Sequence, residues 1–413
     1  MSMQDLPKKI AHLDVLIEKA KIGTLTHAST HIYQPVVENH PISLTMTRSG
    51  LEPYQSGAIH PIFSQNLPEG ANLTYISNKL ARYAKVNAMY LLALQGGQGI
   101  GLLEYQSEHR LSNVHSMSLK DILTYQSAEP LFPQLLEQYY LRNCLAGMQP
   151  KVSLPASTVE TNRTVLQRDL IVKSFDDEFP LLTVNEFVCM EAARYCGLTP
   201  PKTYLSDNLE TFVIERFDKR YDGNYLIAKL GYEDFTTLLK KANSPDEKYS
   251  GSYETVLKAT LLYTRSRREV EKMYRYIVFN CLVGNGDAHL KNFALQYERG
   301  MANVLVSPPF DITHTLIYET INNDMALKLA GSKKFPDKPA LMKLAVGRGY
   351  RIDRPEQIID EMAQKLREYL ELSAEITLFK GLRESIEKSI DTVMSVSYST
   401  KKYRSDRKLK FKY

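Results

Sequence analysis

The feature that most constrains the fold is a helical segment that ends in a polar turn and then continues into an apolar segment. The apolar residues of the helical segment share one face: Val270, Met273, Tyr274, Ile277, Val278, Cys281 and Leu282. The turn that follows, within residues 284–295, carries an acid, an imidazole, an amine and an amide. A buried helix is a rigid support for reacting groups. The pattern therefore predicts a functional loop at the end of a core helix.

The spacing of the acid and the amide in this loop indicates phosphoryl transfer. Asp287 precedes Asn292 by five residues, as in the kinase catalytic loop, where the aspartate orients the substrate hydroxyl and the asparagine binds magnesium. A second aspartate, Asp311, would return to this loop if the apolar segments between them pair as strands, at residues 293–297 and 303–306. The alternative is a plain turn with local Asx-type hydrogen bonds.

An apolar segment that ends in a lysine predicts a second part of such a site. Residues 169–173 are typical of a strand that ends at Lys173, and Glu186 follows in a segment with helical spacing. In kinases a strand lysine contacts the nucleotide phosphates and is held by a helix glutamate. The alternatives are a surface lysine and, for Glu186, a capping box with Thr183.

Two predicted hairpins would complete a nucleotide site. The first contains Gly147-Met148-Gln149-Pro150-Lys151, which could cover phosphates with backbone N–H groups and a cation, or be an ordinary surface turn. The second pairs residues 202–205 with 211–217. The end of its second strand would bring the backbone of Glu215 and Phe217 to an adenine ring. The alternative is a plain edge strand. A glycine cluster at 96–101 follows a helical segment, so it does not fit a dinucleotide fingerprint.

Composition excludes several classes of protein. The net charge of +5 over 413 residues is weak support for a polyanionic partner. Four cysteines without a CxxC pair indicate neither a zinc site nor a disulfide framework. The N-terminal residues lack the apolar core of a signal peptide, and no apolar run is long enough to span a bilayer. We therefore expect a soluble, cytoplasmic protein.

The remaining patterns suggest how the chain is divided. We predict strands at 13–17 and 42–46, helical structure over 73–95 and 131–141, and mainly helical structure from about 219. Apolar stripes between 359 and 390 predict at least two amphipathic helices. The basic tail from 401 is typical of a solvated end, with anion binding as the alternative. We expect an N-terminal subdomain at 1–125, a nucleotide-binding core at 126–218 and a helical lobe at 219–413.

The chain resembles the HipA-type serine/threonine kinases, toxins of bacterial toxin–antitoxin modules. Residues 42–46, 63–70 (with Leu67-Pro68-Glu69-Gly70) and 91–93 together with Gly101 are similar to the N-terminal HipA subdomain. The kinase core of the family is matched by residues 147–151, 185–186, 215–218, 286–293 and 310–312. The resemblance implies an α+β, protein-kinase-like bilobal fold with an added N-terminal α/β subdomain and a mostly helical C-terminal lobe.

The resemblance also implies a role for each site residue. Asp287 would be the catalytic base, and Asn292 and Asp311 would bind Mg²⁺. The ATP site would comprise Gly147, Met148, Gln149 and Lys151 of the nucleotide loop, Lys173 with Glu186, the hinge of Glu215, Arg216 and Phe217, and His289 and Lys291 near the phosphates. An oxygen-rich ligand set favours magnesium over zinc.

Partners and departures follow from the same resemblance. The family implies a HipB-like helix-turn-helix antitoxin, contact with DNA only through that antitoxin, and a protein substrate such as an aminoacyl-tRNA synthetase. Many members autophosphorylate a serine three residues before the loop glycine, where this chain has Cys144. The alternatives are a small-molecule kinase of the aminoglycoside or choline type and a silent nucleotide- or antitoxin-binding module.

Overall fold

The structure, a computed structural model, describes residues 6–46, 50–107, 117–139, 149–161, 164–175, 177–241 and 245–395. Gly147 and Met148 of the predicted nucleotide loop, Cys144 and the basic tail from 401 lie outside these residues.

The N-terminal part is an antiparallel sheet covered by three helices. The sheet has the strand order β4-β3-β2-β1-β5, and its apolar face encloses a core of its own with the helices. Its elements are β1 (His12–Ile17), β2 (Ala20–His27), β3 (His31–Pro35), β4 (Tyr54–Ser56), α1 (Pro61–Ser64), α2 (Gly70–Leu80), α3 (Ala88–Gln95) and β5 (Leu103–Gln106).

Two predictions for this part are wrong. Residues 42–46 form turns instead of a strand, because the side chain of Glu233 takes up hydrogen bonds from the Ser43 hydroxyl and the Leu44 N–H. The helical segment 73–95 is two helices, because α2 ends at Leu80 and Asn87 caps a new helix by accepting from the Tyr90 N–H.

The central sheet has the strand order β6-β7-β8-β10-β9 and supports the predicted nucleotide site. All neighbouring strands are antiparallel except the short parallel pair β6 and β7. The elements of this part are β6 (Met117–Ser118), α4 (Leu119–Leu123), α5 (Leu131–Tyr139), β7 (Lys151–Thr161), β8 (Thr164–Lys173), α6 (Leu182–Tyr195), β9 (Thr203–Leu205) and β10 (Phe212–Glu215). The predicted strand ending at Lys173 and the hairpin β9–β10 are confirmed.

The C-terminal part combines helices with several short strands. Its elements are β11 (Lys219–Asp222), β12 (Tyr225–Lys229), β13 (Gly231–Asp234), α7 (Phe235–Leu238), α8 (Tyr253–Thr264), α9 (Arg267–Val283), β14 (Ala294–Glu298), β15 (Ala302–Val306), α10 (Lys338–Leu344), β16 (Val346–Gly347), β17 (Tyr350–Arg351), α11 (Pro355–Leu372) and α12 (Leu382–Met394). The predicted pairing of the segments before Asp311 is confirmed as β14–β15. The prediction of mainly helical structure from 219 missed five strands of the described residues, β11, β12, β13, β16 and β17, of which β13 pairs with the distant β14.

Helix α9 is the support for the predicted catalytic loop, residues 284–295. Ser266 begins it by accepting from the Glu269 N–H, and Gly284 ends it in the left-handed conformation at φ 75°. The helix packs against α8, α11 and α12 and lies in the main apolar core. In the described part of the chain, no helix is long and apolar enough to cross a membrane.

We expect Leu282→Ala to lower the free energy of unfolding by about 2–5 kcal/mol, because it leaves a cavity in this core. The Leu282 side chain has no solvent exposure. The matched control is Leu262→Ala on α8, where the side chain is 68% exposed and a change within about 0.5 kcal/mol is expected. Urea unfolding measures both. Equal losses for the two variants would contradict the placement of α9 in the core.

Candidate functional site

The loop after α9 is held in place by side chains on both sides of it. The Asn285 amide donates to Asn280 Oδ1 at 2.7 Å, and Asn285 Oδ1 accepts from the Asp287 N–H at 3.1 Å. The Gly286 N–H donates to the Thr315 hydroxyl at 2.8 Å. The local Asx-type bond is therefore present, but it is one of several contacts that fix the Asp287 backbone.

Gly286 is required by a close approach of two chain segments. A Cβ added at this position would lie 2.8 Å from Thr315 Oγ1 and 2.9 Å from the Asp324 carbonyl oxygen. Contacts this short are not tolerated, so a larger residue would displace the loop. The glycine thus allows residues after Asp311 to lie directly against the loop that carries Asp287.

A buried histidine fixes the segment that carries Thr315. His314 Nδ1 lies 2.7 Å from the Val283 carbonyl oxygen and Nε2 lies 2.7 Å from the Ser385 hydroxyl. Burial lowers the pKa of His314 to about 4, so the ring is neutral at pH 7. It joins the end of α9 to α12 behind the loop.

Asn292 and Asp311 lie side by side, as their positions around the β14–β15 hairpin predict. The Asn292 amide donates to Asp311 Oδ2 at 3.1 Å. Behind them, the Tyr276 hydroxyl lies 3.2 Å from the Asn292 carbonyl oxygen and 2.8 Å from that of Phe310. Tyr276 on α9 therefore anchors the backbone of Asn292 and of Phe310, the residue before Asp311. Sequence reasoning missed it, because a tyrosine on a core helix has no distinguishing signal.

Lys173 joins the central sheet to two carboxylates. Its ammonium lies 2.5 Å from Glu186 Oε1 on α6 and 2.6 Å from Asp311 Oδ1. The lysine is buried, so the surface-lysine alternative is excluded. The capping-box alternative is also excluded, because α6 begins after Leu181 and the Thr183 hydroxyl donates to the Leu209 carbonyl instead.

Lys173, Glu186 and Asp311 form an ion triad, and the charge of each member shifts the pKa values of the others. Burial disfavours the charged form of Lys173, but Asp311 and Glu186 outweigh it and raise the lysine pKa. Burial likewise opposes ionisation of Asp311, yet Lys173 and Lys151 hold its pKa below the usual range. For the fully buried Glu186, burial dominates and raises the pKa. Asp311 is thus the firmly charged carboxylate of the triad.

Three more of the predicted site residues are Lys151, His289 and Gln149. Lys151 begins β7 directly opposite Lys173, is buried, and burial lowers its pKa. His289 is buried beside Asp287, and burial lowers its pKa as well. In the described residues His289 Nδ1 has no hydrogen-bond partner. Gln149 donates to the Ser174 carbonyl at 3.1 Å, next to the end of β8.

The second predicted cation of the loop, Lys291, contacts a carboxylate from the N-terminal part. Its ammonium pairs with Glu69 Oε1, and Lys248 lies 3.6 Å from Glu69 Oε2. The neighbour of Lys248, Tyr249, donates its hydroxyl to Asp287 Oδ1 at 3.3 Å. Sequence reasoning noted Glu69 only as part of Leu67-Pro68-Glu69-Gly70 and did not connect Lys248 or Tyr249 with the site.

The predicted hinge begins at Glu215, the last residue of β10, and its Phe217 lies against the segment that carries Asp311. The Phe217 ring stacks on Phe310, with ring centroids 5.3 Å apart, directly before Asp311. The Glu215 carboxylate accepts from the Tyr204 hydroxyl at 2.8 Å. The Arg216 guanidinium points elsewhere: it pairs with Asp218 and donates to carbonyl oxygens of the glycine cluster at Gln98 and Gly99.

The oxygen donors at Asn292 and Asp311 fit a magnesium ion. Asn292 Oδ1 is buried and has no hydrogen-bond partner in the described residues, although buried polar atoms are normally paired. The adjacent Asp311 carboxylate is negatively charged, and amide and carboxylate oxygens suit Mg²⁺. The described residues contain no group of three or more histidine, cysteine, aspartate or glutamate side chains that could hold a metal.

Family models match both parts of the chain. The model described as the HipA-like C-terminal domain matches residues 144–370, more than half of the chain. The model described as the HipA N-terminal domain matches residues 13–106. The two matches include the predicted catalytic loop, the Lys173 triad and Glu69.

Two relatives that are less than 30% identical to this chain are named as kinases. A Sinorhizobium fredii (strain NBRC 101917 / NGR234) protein named "Putative kinase Y4mE" is 27% identical over 315 residues, which cover 70% of this chain and 72% of that protein. The serine/threonine-protein kinase toxin HipA of Shewanella oneidensis is 22% identical over 312 residues, 70% of each chain.

A solved structure confirms the fold class. One chain in the complex of the Shewanella oneidensis MR-1 toxin antitoxin system HipA, HipB and its operator DNA matches with a TM-score of 0.70 at 17% identity. The match covers 92% of this chain and 96% of that chain. The predicted α+β, kinase-like bilobal fold with an added N-terminal subdomain is therefore correct.

Replacing Lys173 by methionine should lower the free energy of unfolding by about 3–5 kcal/mol at pH 7, because two carboxylates lose their buried cation. The pKa of Asp311 is held below 3.8 in the folded chain, so its pairing with Lys173 stabilises the fold above that pH and is lost as the pH falls through the lower folded-state value. The difference between parent and Lys173→Met should therefore narrow below about pH 4.

Urea unfolding at pH 7 and at about pH 3 measures this effect, because the stabilisation by Asp311 begins to be lost only below the unfolded-state pKa of about 3.9. The control is Lys338→Met, since Lys338 pairs with the exposed Glu356 and Asp360 and should cost no more than about 1 kcal/mol. A loss for Lys173→Met that is small, or equal at both pH values, would contradict the triad.

Proposed function

The chain belongs to the HipA family, and from this premise we propose that it is a magnesium- and ATP-dependent serine/threonine protein kinase of toxin type. The observation that carries the proposal is the Lys173 ammonium between Glu186 and Asp311, with Asn292 on the other oxygen of Asp311. Phosphoryl transfer is catalysed mainly by positioning and by electrostatic stabilisation, and this arrangement supplies both.

Asp287 is the proposed catalytic base. Its carboxylate is exposed at the end of a rigid backbone turn, so a substrate hydroxyl can reach it. Asp287 would orient that hydroxyl toward the γ-phosphate and accept its proton. The Tyr249 hydroxyl already lies 3.3 Å from one carboxylate oxygen, which leaves the other oxygen for the substrate.

The ATP site would extend from the central sheet to the hinge. Lys173 of the triad and Lys151, which lies opposite it on β7, would be the cations of this site, and the segment from Gly147 to Lys151 would cover the phosphates. At the hinge, the described residues contain no hydrogen-bond partner for the Phe217 N–H, so it is available to adenine. Asn292 and Asp311 would hold Mg²⁺, which neutralises phosphate charge when bound.

The partners we propose rest on family membership. The Shewanella oneidensis complex contains a HipA, a HipB and operator DNA, so we propose a HipB-like antitoxin for this chain and DNA contact through it alone. The setting would be the cytoplasm, and the substrate would be a serine or threonine of a translation component such as an aminoacyl-tRNA synthetase. The proposed division of the chain remains 1–125, 126–218 and 219–413.

Asp287→Asn should lower the rate of phosphoryl transfer by about 10³-fold or more. The affinity for ATP should change little, because the base acts only in the transition state. The measurement incubates purified protein with labelled ATP and magnesium in a host cell extract and identifies labelled bands by mass spectrometry. The control is Asp246→Asn, an exposed aspartate on the neighbouring short helix Pro245–Tyr249, which should keep full activity.

Retained transfer by Asp287→Asn would refute the assignment of the base. Label on a small alcohol instead of a protein would favour the small-molecule kinase. ATP binding without any transfer by the parent would favour a silent binding module. Label on the chain itself would show that self-modification persists although Cys144 occupies the usual serine position.

A further inference from the structure

Glu69 occupies the position that normally caps a helix, but its side chain does something else. It directly precedes α2, with extended backbone angles at the N-cap position, and makes no capping hydrogen bond. An N-cap acid usually accepts from the first N–H groups of its helix. Here the carboxylate instead reaches out of the N-terminal subdomain and meets two lysines of the C-terminal part.

Each of the two lysines belongs to a segment that carries or contacts the proposed base. Lys291 lies in the catalytic loop and immediately precedes Asn292. Lys248 immediately precedes Tyr249, whose hydroxyl contacts Asp287. One carboxylate therefore restrains both the loop that carries Asp287 and the segment that donates a hydrogen bond to it.

The electrostatics support a firm attachment. Burial disfavours a charge on Glu69, but Lys291 and Lys248 overcome it and lower the pKa of the carboxyl group. The Glu69 side chain is 23% exposed and that of Lys291 is 19% exposed. Partial burial of this kind reduces screening by salt, so the pair is stronger than an exposed surface ion pair.

The N-terminal subdomain has contacts with the rest of the chain besides Glu69. Buried Glu233 accepts from the Ser43 hydroxyl and the Leu44 N–H at 2.7 and 2.6 Å. Arg216 donates to carbonyl oxygens of the glycine cluster at 2.6 and 2.7 Å. These contacts already join the subdomain to the rest of the chain, so the Glu69 carboxylate is free to serve the site.

We infer that Glu69 is a positioning residue through which the N-terminal subdomain holds the catalytic loop in its productive arrangement. The subdomain thereby becomes part of the kinase site and is more than an attached module. The catalytic readout of this inference rests on the proposed function, whereas its structural readout does not.

The structural test is hydrogen exchange in Glu69→Gln, which removes the charge and keeps the size of the side chain. Amides of the loop, including His289 and Asn292, which donate to loop carbonyl oxygens at 2.7 and 3.0 Å, should exchange about tenfold faster, the effect of about 1.4 kcal/mol. Peptides covering residues 285–293 report this.

The chain offers a matched control in Glu104→Gln. Glu104 also lies in the N-terminal subdomain and pairs with Lys229 of the C-terminal part, and these side chains are 20% and 14% exposed. Breaking this pair removes an equivalent contact between the same parts but one that does not involve the loop. Exchange in residues 285–293 should stay at the parental rate.

The catalytic test separates positioning from phosphate binding. In Glu69→Gln, kcat should fall about 10- to 100-fold, as expected for a small displacement of reacting groups, while the ATP dissociation constant stays within about twofold. Adding Lys291→Met to Glu69→Gln should cost little more than either change alone, since the two residues act as a pair.

The outcomes distinguish this inference from the proposed function. Unchanged loop exchange in Glu69→Gln, or the same increase in Glu104→Gln, would overturn the inference. So would a loss of ATP affinity at constant kcat, because Glu69 would then act on the nucleotide. If Glu69→Gln exchanges faster in the loop but the parent protein transfers no phosphate, the positioning role of Glu69 would be supported and the proposed kinase activity would be refuted.

Discussion

The contact of Lys173 with Glu186 and Asp311 is the interaction on which the rest of the site depends. It connects the end of β8, the first turns of α6 and the segment after β15. β8 and α6 belong to the central part and the segment after β15 to the C-terminal part, and a buried cation without its carboxylates would be costly. The triad therefore requires that the central sheet and the C-terminal part lie against each other, with Lys173 on Asp311, which the β14–β15 hairpin places beside Asn292.

The second requirement is a fixed loop around Asp287, and several distant segments meet it. Tyr276 holds the backbone of Asn292 and Phe310 from α9, Thr315 accepts from Gly286, and the neutral ring of His314 joins α9 to α12. Glu69 adds a contact from the N-terminal subdomain. The exposed carboxylate of Asp287 is thus supported from several sides by groups that do not themselves react.

The predictions that succeeded depend on short spacing or on a strong periodic pattern. The β14–β15 hairpin, the strand that ends at Lys173 and the buried face of α9 are all local, so neighbouring residues carry their signal. The predictions that failed depend on distant partners. Residues 42–46 alternate like a strand, yet Glu233, remote in the chain, takes their hydrogen bonds. Likewise β13 forms a strand by pairing with β14, which is distant in the chain.

The amino-acid sequence by itself determined which residues we propose for phosphoryl transfer, because the spacing of Asp287 and Asn292 and the order of Lys173, Glu186 and Asp311 are set by the order of residues in the chain. The tertiary structure decided what those residues touch. Glu186 satisfies a capping pattern but pairs with Lys173, and Arg216 follows the hinge strand but binds the glycine cluster. Lys291 contacts Glu69, more than two hundred residues away. Ion pairs and hydrogen bonds form between groups that folding brings together, and chain order alone does not specify those distances.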